Sequence, residues 1–130
     1  MAFTGNWKHV KSENLDEYLS ALGVNIAKRK IVASSSPRAE IQQDGDSFRI
    51  KTIGPQTKEI SFKIGQNFED ELPMGKVQVT PSWDGGKLRF DIDSPKGKLV
   101  TEREIRADGQ LYMVMKAADG TTCTRIFAKE

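Results

Sequence analysis

Two arginines stand where an interior is expected. The chain ends in TTCTRIFAKE, and read as a strand it sets Cys123, Arg125 and Phe127 on one face. Thr122, Thr124, Ile126 and Ala128 fall on the other. Upstream, KLVTEREI gives a face of Leu99, Thr101, Arg103 and Ile105 against a solvent-like face of Val100, Glu102 and Glu104. Between them, QLYMVMKA aligns Leu111, Met113 and Met115. No carboxylate shares these three faces. A guanidinium stays protonated, and burying it unpaired costs at least several kcal/mol. Water or an external anion must therefore meet these arginines. The planar arginine fork fits a carboxylate in bidentate geometry. The chemistry implied is capture of a small anionic head group in a space with apolar walls. The competing reading is ordinary: a register slip of one residue would turn either arginine to the surface.

Other chemistry is sparse. The one histidine, His9, and the one cysteine, Cys123, are far apart in sequence. There is no nucleophile elbow and no phosphate loop, so an enzyme is not expected. Asp91 and Glu104 read as outward-facing. Cys123 reads as a small core residue and His9 as a surface residue. Met113 and Met115 read as core or as a pliable pocket wall. Neither a metal nor a cofactor is implied. The formal net charge is +2, with acids and bases mixed along the chain. That bias is too weak to argue for nucleic acid, and the aromatics read inward. A lone cysteine excludes an intramolecular disulfide and favours a reducing compartment. The start, MAFTGNWKHV, lacks the apolar run of a signal peptide, and no segment holds eighteen consecutive apolar residues. A cytoplasmic protein is the expectation.

These side chains need elements to position them. At 130 residues the chain fits one domain, 1–130, with no repeat and no linker. A strand opens it over residues 3–12, with Phe3, Gly5 and Trp7 on one side. Two short helices follow. Asn14 can cap the first, with Glu17 in the capping-box position. Leu15, Leu19 and Leu22 recur at helical spacing beside Tyr18, and Gly23 can end the helix in a left-handed turn. Asn25 opens the second helix, which carries Lys28, Arg29 and Lys30, the densest basic stretch. That stretch reads as a solvated helix face, or more sharply as a patch that meets anionic membranes or another protein.

After Pro37 everything alternates like strands. Phe48 and Ile50, then Ile60 and Phe62, then Leu88, Phe90 and Ile92 mark successive inner faces. The turns DGD, DGG, SPKG, RADG and ADG punctuate them. Pro81 within VTPSW is expected to break a ladder bond. Nine or ten strands in one meander exceed a flat sheet, so closure is expected. The fold class is all-β: a ten-stranded antiparallel up-and-down barrel with a two-helix lid between the first and second strands. A barrel of that width is not filled by its own side chains, so its lumen has room for water or a ligand. A fatty acid or a retinoid acid has the required charged head and apolar body.

FTGNWKHVKSENLDEYLSALGV resembles the N-terminal signature of the intracellular lipid-binding proteins, which include fatty-acid-binding and cellular retinoid-binding members. KEISFKIGQNFEDE resembles their central strands and CTRIF their last, so the resemblance runs from Phe3 to Lys129. It implies the same barrel and lid. Carboxylate-binding members use an arginine in the eighth strand and an Arg-x-Tyr pair in the tenth. Arg103 and Arg125 stand at the arginine positions, and Phe127 replaces the tyrosine. Keeping both arginines favours an acid over an alcohol. The resemblance also places Leu15, Tyr18, Leu19 and Val32 on the pocket wall, joined by Phe90, Met113, Met115, Cys123 and Phe127 on the inner strand faces. Pro55 stands near where a portal phenylalanine is usual. Lys28, Arg29 and Lys30 resemble residues with which some members dock on acidic membranes. The implied function is a monomeric, cytosolic, non-enzymatic carrier of a long-chain fatty acid, with retinoic acid or a bile acid as the alternative cargo.

Overall fold

A computed structural model describes residues 2–130. The elements run β1 (Gly5–Glu13), α1 (Leu15–Ala21), α2 (Ile26–Ser34), β2 (Arg38–Asp44), β3 (Ser47–Ile53), β4 (Lys58–Lys63), β5 (Phe68–Leu72), β6 (Gly75–Asp84), β7 (Lys87–Ser94), β8 (Gly97–Ile105), β9 (Leu111–Lys116) and β10 (Thr122–Lys129). The strands form one antiparallel sheet in the order β4-β3-β2-β1-β10-β9-β8-β7-β6-β5. Each strand pairs with its chain neighbours except at one place, and one further pairing joins the first strand to the last. β1 closes on β10, and β4 and β5 share no ladder. Side chains bridge that remaining seam. The Phe62 and Phe68 rings stack at 5.1 Å, and Lys58 Nζ lies 2.6 Å from Asp70 Oδ1. Lys58 also donates to the Glu71 carbonyl at 2.8 Å. The alternation places Phe48, Ile50, Phe62, Val79, Leu88, Phe90, Leu99, Leu111 and Cys123 in one buried core. The expected clam-like barrel with a helical lid is the fold that forms.

Two local expectations are corrected. Asn14 makes no side-chain cap to α1. β1 runs on to Glu13, and the chain turns sharply with Asn14 in the left-handed region at φ 60°. Asparagine tolerates that region better than most residues. Its Nδ2 donates instead to the Thr122 carbonyl at 2.9 Å, tying the lid's root to β10. Pro81 does not interrupt β6, which pairs with β7 from Gln78 to Asp84. The ladder with β5 ends at Phe68↔Val79. The Pro81 carbonyl accepts from Gly65 N at 3.0 Å, beyond that end. A residue's N–H and C=O point to the same side of a strand, so the missing donor faces no ladder partner.

The lid is built unevenly. α1 buries Tyr18 and Leu19 against the barrel, and Gly23 ends it at φ 79°. α2 starts on Asn25, whose side chain accepts from Lys28 N at 2.9 Å, but it buries none of its own side chains. Arg29 holds it to the rest of the lid by donating to Asp16 Oδ1 at 2.9 Å and to the Val24 carbonyl at 2.7 Å.

Candidate functional site

Strand register decides which side chains meet. Arg125 pairs with Met113, Met113 pairs with Arg103, and Arg103 pairs with Leu88. On the other side Arg125 pairs with Ser12. The two arginines thus lie in one row, one strand apart, with backbones roughly 10 Å from each other. The row above is Phe90, Thr101, Met115 and Cys123, and the row below is Ile105, Leu111 and Phe127.

A cavity of about 220 Å³ opens between the lid and these rows. Leu15, Tyr18, Leu19 and Val32 line it from the lid, and Phe90, Met113, Met115, Arg103 and Arg125 from the barrel wall. Cys123 and Phe127 are buried in the core but do not line this space. The His9 ring meets Phe127 edge-on at 5.7 Å. Burial also pushes the Cys123 thiol up to about 11. Lys28 and Lys30 are exposed on α2 near Ile26 and Ile31, which are also exposed, while Arg29 is held within the lid.

Both arginines are desolvated cations with a spare donor. Burial draws the Arg103 pKa down to about 10, against a smaller upward pull from Asp70. Its guanidinium lies 4.9 Å from the centroid of the Phe90 ring, a cation–π contact, and its Nη1 is buried without a hydrogen-bond partner. Burial likewise lowers the Arg125 pKa, with Cys123 pulling the other way. Arg125 Nε donates to Ser12 Oγ at 2.9 Å, while its Nη2 is buried and unpartnered. Unmatched buried donors of this kind are rare in folded proteins and invite an explanation. An organic anion supplies one, since an ionised carboxylate accepts from several N–H groups at once.

The wall carries groups that the sequence reading passed over. Asp70 faces the lumen from β5 and is ion-paired with Lys58. The signal was present in FEDEL, where Phe68, Asp70 and Leu72 share a face. His9, read above as a surface residue, is half-buried beside Phe127 and 2.8 Å from Ser12 Oγ. A β-bulge hides Ser12 from any alternation count. His9 pairs with Phe127 and Lys11 with Ile126, so Val10 is the extra residue. The bulge turns Ser12 to the same side as His9, although the two are three positions apart.

The chain matches the model of the lipocalin / cytosolic fatty-acid binding protein family over residues 4–130. It is 42% identical over 136 residues to cellular retinoic acid-binding protein 2 of Mus musculus, covering 98% of each chain. Cellular retinoic acid-binding protein 1 of Bos taurus is also 42% identical, over 138 residues and 98% of each chain. A solved structure described as the REP1-NXSQ fatty acid transporter superposes with a TM-score of 0.91 at 36% identity, covering 98% of this chain and 95% of that one. These relatives are named for binding and transport. No helix among the described residues is long and apolar enough to cross a membrane. With sequence and barrel agreeing nearly end to end, the chain belongs to the lipocalin / cytosolic fatty-acid binding protein family.

Proposed function

We propose that this protein is a non-enzymatic cytosolic carrier that takes a long-chain fatty acid into its barrel, the carboxylate at Arg103 and Arg125. The observation that carries the reading is the Arg103–Met113–Arg125 row, two half-buried arginines with one buried, unpartnered nitrogen each beside an apolar cavity. Alkyl burial supplies most of the affinity, at about 0.8 kcal/mol per methylene before ordering costs. The arginines orient the ligand and select an acid. An alcohol of the same shape would leave both charges unpaired. Phe127 offers no hydroxyl, so the head group rests on the arginines and their neighbours.

Retinoic acid is the second reading. It has the same charged head and apolar body, and the names of the curated relatives favour it at least as strongly. A bile acid has the same charged head on a rigid apolar body and is the other alternative cargo. Lys28 and Lys30, flanked by exposed Ile26 and Ile31, support transient contact with anionic membranes during ligand transfer. The carrier works as a monomer and has no nucleic-acid partner.

Calorimetry on delipidated protein, with oleate, retinoic acid and a bile salt in competition, tests the reading. Arg125→Gln is expected to weaken oleate by about 10- to 100-fold, the worth of one charge-assisted hydrogen bond or two. Unchanged affinity in that variant overturns the head-group assignment.

A further inference from the structure

Beside Arg125 lies a hydrogen-bonded chain that simple anion capture does not need. Arg125 Nε donates to Ser12 Oγ at 2.9 Å, and Ser12 Oγ lies 2.8 Å from His9 Nε2. Ser12 therefore accepts from the guanidinium and has its own hydrogen left for the imidazole. When Ser12 donates that hydrogen, Nε2 accepts it and the ring proton sits on the buried Nδ1; in the other tautomer Nε2–H donates to Ser12 Oγ. The ring is neutral in either arrangement, one hydroxyl away from a fixed cation. We propose that Ser12 and His9 are positioning residues for the ligand carboxylate. Ser12 holds one edge of the Arg125 fork so that the other faces the lumen, and His9 takes up a proton when the anion binds.

The sign follows from charge. Burial and Arg125 both hold the His9 pKa below its ordinary value, partly offset by the Lys11 backbone. An anion on Arg125 cancels much of that cation's field, so the imidazole is more basic in the complex than in the free protein. Between the two pKa values binding takes up a proton, and affinity rises as the pH falls through that window. Ser12 Oγ has two lone pairs and can accept from both neighbours once His9 is charged. The surrounding ionisable groups are few. On β10 they are Arg125 and the buried Cys123. On β1, Lys8, Lys11 and Glu13 are exposed. At the start of β2, Arg38 is exposed and pairs with Glu130. Arg125 is the charged side chain that acts on the ring.

This inference rests on the carrier reading, and the test separates the two. His9 is the one histidine in the chain, so imidazole NMR signals report it without ambiguity. The ring is titrated in delipidated protein alone, with oleate, with retinoic acid and with neutral oleyl alcohol. Each acid should raise the His9 pKa, and the alcohol should leave it in place. In parallel calorimetry, wild-type affinity for oleate should rise by about three- to tenfold between about pH 8 and about pH 5.5. In His9→Gln it should stay nearly flat, and the comparison cancels any protonation of the ligand itself. Ser12→Ala should keep a shift at His9 on binding oleate but bind it more weakly, since the Arg125 fork loses the hydroxyl that holds its Nε edge. Acids that bind without moving the His9 pKa overturn the relay and leave the carrier standing. Failure of the wild type to bind either acid overturns the carrier reading, and the relay falls with it.

Discussion

Burial draws the Arg103 pKa down from its ordinary value to about 10, so the folded, ligand-free protein disfavours the charge that this residue carries at neutral pH. The penalty is about 3 kcal/mol at 1.36 kcal/mol per pKa unit. The unfolded chain keeps its proton up to the higher value and the folded chain loses it earlier. Stability from this group therefore rises as the pH climbs from about 10 toward the ordinary arginine value. Arg103→Gln removes the charge, and we expect differential scanning calorimetry of the delipidated variant to show a melting temperature higher by about 3–6 °C. The same variant should gain less from oleate than the wild type does. Cys123 is the opposite kind of residue, fully buried with a thiol raised to about 11 by burial. It should resist a thiol reagent in native protein at about pH 8 and react promptly once the chain is unfolded. Alternation alone showed that both arginines shared apolar faces, because strand parity is a local signal. It could not show that Asp70 lies near enough to act on Arg103, since that depends on how β5 curls toward β8.

α2 is the least anchored element of the lid, with no buried side chain and Arg29 as its chief tether to α1. Its Asn25 cap is therefore a large share of what holds the helix. Asn25→Ala should destabilise α2 by about 1 kcal/mol. We expect faster amide exchange confined to residues 26–34, with the barrel's exchange and the melting temperature nearly unchanged. Arg29→Ala should loosen the same residues by freeing the turn at Val24. The helices themselves were legible in the sequence, from Asn25 at one start and Gly23 at one stop. The Asn14 cap was misread because a side chain that can cap a helix can also bind the neighbouring strand, here at Thr122. The bulge at Val10 was illegible for a related reason. It is set by the pairing of β1 with β10, and one extra residue reverses the facing of everything after it. Ser12 entered the site by that route.

The barrel as a whole is one sheet whose first and last members in spatial order, β4 and β5, meet without a ladder. The meander was readable from turns spaced about every ten residues, and nothing in those turns says where the ring fails to close. A bound acid should stabilise this molecule by mass action, about 2.7 kcal/mol when free ligand is a hundredfold above its Kd. Thermal melts across an oleate series should show the rise. Lys58→Met removes the seam's ion pair and its bond to the Glu71 carbonyl, and amide exchange should quicken first in β4 and β5. The seam also makes the molecule a spring. Every other junction in the ring is clamped by backbone hydrogen bonds, so widening it elsewhere means breaking a ladder. Here a ring stack, one ion pair and one side-chain hydrogen bond resist, and they can slide apart without exposing a paired strand. Girth, more than length, is then the ligand dimension to which this barrel can yield, and the spacing between Phe62 and Phe68 is the gauge on which that yielding would be read.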